Sequence, residues 1–310
     1  TSFNHMVVGL REKERIRATF GQYVDPRIVK SLLENRIPTD RGERQVMTVF
    51  FSDLQDFTRL CEGLTPDAAV RFLNHYFSLM SEVIRGQQGI VDKYIGDSVM
   101  AFWGPPFTDP ADHARLGCLA ALEQMKKMDD FRAALPELFG VKHGLPEVNV
   151  RMGIASGEVT VGNIGSETSR GYTVIGDIVN LASRLEQANK FYGTRILVSE
   201  GTRNLAGETL AFREIDSLRV AGKLEPVRVY ELLGYSAELG ESDRQRVQAY
   251  EAGLARYRAQ DWDSAEAAFR ECLMNAPGDR PSQVMLERVA AFRLAPPEAG
   301  WDGVWVALSK

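Results

Sequence analysis

A carboxylate follows a run of apolar residues at positions 46–51 of this sequence. The run is rich in β-branched and aromatic side chains and predicts a buried strand, so Asp53 would stand at the strand's end. An aspartate in that place can hold a hard cation, and the following backbone amides, at Phe57 and Thr58, could cradle phosphates at a helix start. Taken alone, Asp53 is more simply interpreted as the cap of that helix.

A second carboxylate, Asp97, follows Gly96 within a stretch, 90–103, that predicts a β-hairpin. A Gly-Asp pair supplies the positive φ that a tight turn needs, so Asp97 would project from the hairpin tip. A Gly-Asp turn alone is most often only a turn. Two turn aspartates on neighbouring strands can, however, share a pair of Mg²⁺ ions, as phosphoryl-transfer sites require.

Asn180 and Arg184 are four residues apart in a segment, 177–189, with a helical pattern. That spacing places both side chains on one face of the helix. An amide beside a guanidinium suits a ribose oxygen and a phosphate oxygen. A solvated polar stripe would have the same spacing, so the spacing leaves both interpretations open.

These three segments, in this order, resemble the catalytic domain of the class III nucleotide cyclases, the adenylate and guanylate cyclases. The resemblance covers roughly residues 44–233 and rests on several separated motifs, which makes chance a poor explanation. It implies that ATP is converted to 3′,5′-cyclic AMP and pyrophosphate by attack of the ribose 3′-hydroxyl on the α-phosphate. Residues 20–26 and the helical tail also resemble bacterial multidomain members of the family.

The resemblance also assigns roles around the phosphates. It makes Asp53 and Asp97 the ligands of two divalent cations, Mg²⁺ or Mn²⁺, with the Leu54 carbonyl as a further ligand. Asn180 would orient the ribose, and Arg184 would stabilise charge developing on the α-phosphate. The general base stays open among Asp53, water and the substrate.

The same resemblance makes Lys93 and Thr173 the residues that recognise the base of the nucleotide. It also matches Lys223 to the lysine that binds the terminal phosphates. In adenylate cyclases the lysine donates to the adenine ring nitrogen, and the threonine position accepts from the exocyclic amine. Guanylate cyclases carry glutamate and cysteine-type residues there, so this pair favours ATP. A lysine facing guanine's ring N–H would leave two donors unpaired, at a cost of roughly 1–3 kcal/mol. Without the flanking motifs, Lys93 would be interpreted as a solvent-exposed lysine of a strand, and Thr173 as a residue that favours strand structure.

In this family the metal aspartates and the base-reading lysine come from one subunit, and the asparagine-arginine helix comes from the other. The chain carries both sets, so the resemblance implies a homodimer with two symmetric sites. Two other arginines could help to bind the triphosphate. Arg170 is predicted to lie in the loop just before the strand that carries Thr173, and Arg151 is more simply interpreted as a structural partner.

The elements that must position these residues mix helices with antiparallel hairpins. Helices are predicted from Thr65-Pro66 to about Arg85 and from Asp109-Pro110 to about Leu135. A second hairpin is predicted at 149–164, turning at 156–157. The mixture predicts an α+β fold, with a mixed, largely antiparallel sheet and flanking helices, in the manner of a ferredoxin-like palm.

Three regions are expected along the chain. Residues 1–41 are interpreted as a helical coupling segment, in which Asp25 caps a helix with Pro26 at its first position. The catalytic domain is expected at 42–234. Residues 242–310 predict a small all-α appendage, because Gly253, Ala265, Phe269 and Pro277 match the spacing of a repeat of about 34 residues of the TPR type.

Composition narrows the function classes. The 310 residues are 44% hydrophobic and 25% charged, which is ordinary for a globular protein, and a net charge of −5 opposes nucleic-acid binding. Three scattered cysteines without metal-ligand spacing favour a reducing, cytoplasmic compartment. The chain starts at Thr1 and has no apolar run of about 18 residues. We therefore expect an upstream sensor or membrane domain in a longer parent protein.

Three other functions compete with an adenylate cyclase. A guanylate cyclase is opposed by Lys93 and Thr173. A catalytically inactive regulatory or scaffold homologue is opposed by the sequence itself, which has the expected residue at every site position matched to the family. A diguanylate-forming or polymerase-type relative with a similar palm-like sheet is opposed by the helix that carries Asn180 and Arg184.

Overall fold

A computed structural model describes residues 24–34, 37–38, 41–139, 147–219, 226–298 and 300–304. The α-helices in these ranges are α1 (Pro26–Leu33), α2 (Phe57–Cys61), α3 (Pro66–Gly86), α4 (His113–Phe139), α5 (Asp177–Tyr192), α6 (Glu200–Ala206), α7 (Glu241–Arg258), α8 (Trp262–Asn275) and α9 (Arg280–Leu294). The strands are β1 (Glu43–Leu54), β2 (Ile90–Ile95), β3 (Ser98–Trp103), β4 (Val150–Gly165), β5 (Arg170–Ile175), β6 (Ile196–Ser199), β7 (Leu210–Leu218) and β8 (Val227–Tyr235). Within the same ranges, no helix combines the length and the apolar character that a bilayer crossing needs.

The described residues form two compact units. The first comprises those of 1–44 and 160–174. In it, the Asp25 carboxylate accepts a hydrogen bond from the backbone N–H of Arg27, and Pro26 occupies the first turn of α1, as predicted. Strand β5 pairs with β4, and the Asn163 amide donates to the Pro38 carbonyl at 3.1 Å.

The second unit comprises the described residues of 45–159 and 175–310. It contains a sheet with the strand order β2-β3-β1-β4-β6-β8-β7. The pairs β1/β3, β2/β3, β6/β8 and β7/β8 are antiparallel, and β4/β6 is parallel. The predicted α+β class, with a mixed and largely antiparallel sheet, is confirmed.

Aromatic side chains hold the centre of the sheet against helices α3 and α4. Phe50 of β1 meets Trp103 of β3 edge to face, with ring centroids 5.8 Å apart. Phe72 of α3 meets Phe131 of α4 in the same manner at 5.0 Å. All four side chains belong to one buried apolar cluster, so β1 and β3 are fixed side by side.

Strand β4 runs unbroken through 156–157, so the hairpin predicted there is wrong. Ser156 is buried, and its hydroxyl bonds to those of Thr48 and Thr202 at 2.7 and 2.9 Å. Gly157 does not have the positive φ of a turn, and a Cβ on it would lie 2.6 Å from Cδ1 of Ile178. The Ser-Gly pair therefore allows α5 to pack closely on β4.

Helix α4 also departs from its prediction, since it spans His113–Phe139 and continues past Pro136. It does not begin at Asp109, because that carboxylate accepts from the N–H of Ala111 at 2.8 Å and closes a separate turn first. The other hairpin, the helix from Pro66 and the helix from Asp177 are confirmed.

The predicted C-terminal helices are present as α7, α8 and α9. Gly253 faces Phe269, because a Cβ on this glycine would lie 2.8 Å from the phenyl ring. Phe269 and Ala265 are fully buried. The repeat-like spacing thus reflects close packing of α7 against α8.

Candidate active site

Asp53 and Asp97 come together where β1 ends beside the β2–β3 hairpin. Antiparallel pairing sets Ser52 opposite Val99, so the hairpin turn lies next to the end of β1. Gly96 supplies the turn with a φ of +64°. The predicted meeting of two aspartates from separate strand ends is present.

Hydrogen bonds and charge define this carboxylate pair. The Ser98 hydroxyl donates to Oδ1 of Asp53 at 2.5 Å. Asp97 contacts the Asp53 carboxyl group and the backbone of Leu54. Burial, followed by the negative charge of Asp53, raises the pKa of Asp97 to about 6. Two like charges held together in this way favour a bound cation.

The interpretation of Asp53 as a helix cap is wrong. Asp56, and not Asp53, stands in the cap position of α2, and α2 begins at Phe57. Phe57 and Thr58 are thus the first residues of a helix, where backbone N–H groups have no intrahelical acceptor.

A cavity of about 570 Å³ is lined by both the aspartate pair and the start of α2. Its wall contains every residue predicted for the metal pair and the phosphate cradle, namely Asp53, Leu54, Phe57, Thr58 and Asp97. The same wall also contains Arg151 of β4.

Arg151 has a more central place than its predicted structural role. A guanidinium nitrogen lies 3.7 Å from Oδ2 of Asp53, and Nε lies 3.4 Å from Oε1 of Glu186. The side chain is only 13% exposed. An arginine within the apolar stretch 150–155 was the sequence signal for this position, because a buried cation needs a carboxylate partner.

Glu186 of α5 was missed in the sequence. Burial first, and then the charge of Asp53, raises its pKa to about 7, while Arg151 acts in the opposite direction. A second cavity, of about 330 Å³, lies between the end of β1 and α5 and includes Asp53, Arg151 and Glu186. The signal was helical spacing, because the buried positions Ala182, Leu185, Glu186 and Asn189 recur on one face of α5.

Helix α5 turns Asn180 and Arg184 away from this buried face, and both are exposed. Of the residues lining the two cavities, none is Asn180 or Arg184. The helix itself is held tightly, since a Cβ on Gly153 would lie 2.2 Å from the Ala182 carbonyl oxygen. Asn189 adds a hydrogen bond to the Met152 carbonyl at 2.8 Å.

The three remaining predicted residues are spread over the chain. Lys93 of β2 has a side chain 48% exposed, with its ammonium 3.6 Å from the Asp92 carboxylate. Thr173 of β5 is buried. Lys223 lies outside the described residues.

The donor set fits hard divalent cations. Two carboxylates and the Leu54 backbone line one cavity, and Mg²⁺ and Mn²⁺ prefer oxygen ligands of this kind. The pKa of Asp97 is raised by burial and then by the negative charge of Asp53, so a bound cation would favour its ionised form. In the described part of the chain, no group of three or more His, Cys, Asp or Glu side chains is arranged to hold a metal, so the pair would act with substrate phosphates as further ligands.

Comparison with known proteins gives curated relatives that include adenylate cyclases. Adenylate cyclase 1 of Rhizobium meliloti (strain 1021) is 36% identical over 217 residues, which are 70% of this chain and 32% of that protein. An adenylate cyclase of Anabaena cylindrica is 36% identical over 243 residues, covering 75% of this chain and 47% of that protein. The chain therefore spans about a third to a half of the length of these relatives.

Solved structures include both cyclase types. The adenylyl cyclase CyaB from P. aeruginosa is 34% identical, with a TM-score of 0.57 over 64% of this chain and 100% of that one. The guanylyl cyclase Cya2 is 31% identical, with a TM-score of 0.55 over 64% of this chain and 97% of that one.

A family model described as the adenylate and guanylate cyclase catalytic domain matches residues 40–234, which is more than half of the chain. The matched range contains both aspartates, Arg151 and the whole of α5. The chain therefore belongs to the family of adenylate and guanylate cyclase catalytic domains, and residues 40–234 form its nucleotide cyclase domain.

Proposed function

We propose that this protein is an adenylate cyclase that forms 3′,5′-cyclic AMP and pyrophosphate from ATP. The observation that carries the proposal is the contact between Asp53 and Asp97 in one cavity, where Asp97 has a pKa raised to about 6 by burial and by its neighbour. Lys93 and Thr173 support adenine as the base. The relatives named adenylate cyclase support the same choice.

Each residue has a distinct task in this mechanism. Two divalent cations, held by Asp53, Asp97 and the Leu54 carbonyl, would lower the pKa of the 3′-hydroxyl and neutralise the leaving pyrophosphate. The amides of Phe57 and Thr58 bind phosphate oxygens, together with Lys223. Arg151 balances the charge of Asp53 at the cavity wall. Catalysis then consists of positioning and charge stabilisation.

The active enzyme is proposed to be a homodimer. Asn180 and Arg184 are exposed on α5 and do not line the cavity of their own chain. A partner subunit would supply the same two residues to that cavity, where Asn180 orients the ribose and Arg184 stabilises charge on the α-phosphate. The division into a coupling segment at 1–41, a catalytic domain at 42–234 and a helical appendage at 242–310 remains our proposal for the chain.

Assays with ATP and with GTP, each with Mg²⁺ and with Mn²⁺, test the substrate. We expect cyclic AMP from ATP in quantities well above cyclic GTP from GTP. Faster turnover of GTP with both metals would contradict the assignment of the base.

A guanylate cyclase is the second candidate, since the guanylyl cyclase Cya2 is 31% identical to this chain. A homologue without activity is the third. Binding of ATP with no cyclic product, even with Mn²⁺, would favour that last alternative.

A further inference from the structure

The C-terminal helices reach the helix that carries Asn180 and Arg184 through one buried arginine. Arg288 of α9 donates from Nη1 to Oδ2 of Asp216 in β7 at 2.5 Å, and from Nη2 to the Tyr192 hydroxyl oxygen at 3.0 Å. Tyr192 is the last residue of α5, and its hydroxyl donates to the same carboxylate oxygen at 2.5 Å. Three elements therefore meet in one closed triangle of hydrogen bonds.

The triangle is shielded from water. The side chains of Arg288 and Asp216 are 3% and 1% exposed, and Tyr192 is 1% exposed. The second oxygen of Asp216 accepts from the N–H of Ser217 at 2.7 Å. A buried charge that loses its partner is costly, and a planar guanidinium bonds its acceptors in fixed directions. The three side chains are thus held in one arrangement.

Further contacts attach α9 to the same end of α5. The Arg288 guanidinium lies 5.3 Å from the ring centre of Phe191 and 5.6 Å from that of Tyr192. Gly193 ends α5 with a φ of +68°, and a Cβ there would lie 2.7 Å from the Arg280 side chain. Helix α9 therefore contacts residues 191–193 at the end of α5.

The position of Tyr192 at the C-terminal end of α5 affects where Arg184 lies along the same helix. Arg184 precedes Tyr192 by eight residues, which is about 12 Å along a helix axis at 1.5 Å per residue. A small tilt at Tyr192 would displace the Arg184 guanidinium from the α-phosphate. A displacement of about 1 Å can lower turnover about 100-fold.

We propose that Arg288 is a positioning residue for the cyclase reaction, because with Asp216 and Tyr192 it fixes the C-terminal end of α5 and so the placement of Asn180 and Arg184. This inference rests on the proposed function, in which those two side chains meet the ribose and the α-phosphate. The C-terminal helices then take part in building the site.

The competing explanation is that the triangle only adds stability. A matched contact separates the two roles, because Arg258 of α7 pairs with Glu214 of β7 at 2.5 Å. This pair also joins the C-terminal helices to β7, but it does not involve α5.

The test compares four variants of the full chain with the wild type. Tyr192→Phe removes one hydroxyl and leaves the Arg288–Asp216 pair, Arg288→Met removes the charge, Arg288→Lys keeps it, and Arg258→Met is the control. For each we measure kcat and KM for ATP, the melting temperature, and amide hydrogen exchange of residues 177–192.

We expect Tyr192→Phe to lower kcat about tenfold with KM for ATP within about twofold, and to speed exchange in 177–192. Arg288→Met should lower kcat further than Tyr192→Phe does. Arg288→Lys should recover part of that lost kcat, since an ammonium restores the charge without the two-pronged geometry of a guanidinium. Arg258→Met should lower the melting temperature but leave kcat and the exchange of 177–192 unchanged.

The inference is overturned if Tyr192→Phe and Arg288→Met lower only the melting temperature, with kcat per folded protein and exchange of 177–192 as in the wild type. If the wild type makes no cyclic nucleotide, the proposed function fails instead. The exchange measurement then still decides whether the triangle holds α5, because unchanged exchange removes the inference and faster exchange supports it.

Discussion

At the residue scale, Asp53 is the group around which the site is built. It accepts from Ser98, contacts Asp97 and lies 3.7 Å from the Arg151 guanidinium. Glu186, on the far side of Arg151, is a further buried carboxylate. One arginine thus stands among three carboxylates, and this excess of negative charge favours a cation.

The raised pKa of Asp97 gives the first residue-scale prediction. Its folded value of about 6 lies above the ordinary carboxyl value of 3.8, so the metal-free protein loses stability as pH rises from the ordinary value to about 6. A divalent cation held by the ionised pair, as proposed, would offset that cost. The rise in melting temperature caused by Mg²⁺ should therefore be small at pH 5, grow through about 6 and level off above 7.

The two matched variants are Asp97→Asn and Glu186→Gln. The first should abolish this pH dependence, because the titrating ligand is gone. The second keeps both aspartates and should retain a midpoint near 6. An equal effect of Mg²⁺ at pH 5 and pH 8 in the wild type would contradict the account.

Base choice gives a second residue-scale prediction. If Lys93 and Thr173 read the base as proposed, replacing Lys93 by Glu and Thr173 by Cys would invert the donor and acceptor pattern of that site. Turnover of ATP should fall at least about 100-fold relative to GTP, because a site built on hydrogen bonds rejects the wrong partner strongly. Lys127→Glu, which reverses the charge of an α4 lysine whose side chain is 37% exposed, is the control and should keep the ATP preference. An unchanged ratio in the double variant would remove both residues from base recognition.

At the element scale, α5 and β4 are packed at backbone distance. Gly153→Ala would place a methyl group 2.2 Å from the Ala182 carbonyl oxygen, and backbone cannot move aside as a side chain can. We expect a loss of about 3 kcal/mol in the free energy of unfolding, measured by denaturant titration. Gly171→Ala, also in a strand, meets nothing within 4 Å and should have little effect. Equal stability of the two variants would show that α5 can shift.

Much of the architecture was predictable because local patterns specify it. Gly96 favours a turn, Pro66 favours the start of a helix, and the apolar run before Asp53 predicts a buried strand. The predicted hairpin at 156–157 was wrong because Ser-Gly is equally suited to a turn and to a close helix contact. The position of Ile178 decides between the turn and the helix contact, and a local sequence pattern does not specify that tertiary contact.

The candidate site was predictable in part for the same reason. Asp53 and Asp97 follow local turn signals, whereas Glu186 and Arg151 are set by a contact between α5 and β4. The triangle of Tyr192, Asp216 and Arg288 joins residues up to 96 positions apart. Strand β7, which holds Asp216, was not predicted either, so nothing in the sequence pattern indicated that the C-terminal helices reach α5.

At the scale of the whole molecule, the proposed enzyme needs active sites that are shared between two chains. The cavity with Asp53 and Asp97 does not include Asn180 or Arg184 of the same chain among its lining residues. A single chain should therefore be inactive, and specific activity should rise with protein concentration as dimers form.

Complementation between two inactive variants tests this claim most directly. Asp53→Ala and Arg184→Ala should each lower cyclic AMP formation from ATP at least about 100-fold, because one would remove a proposed metal ligand and the other the proposed charge partner of the transition state. When the two are mixed, heterodimers contain one intact site, and activity should recover to as much as a quarter of the wild-type level. No recovery in a mixture with demonstrated heterodimers would contradict the shared-site account.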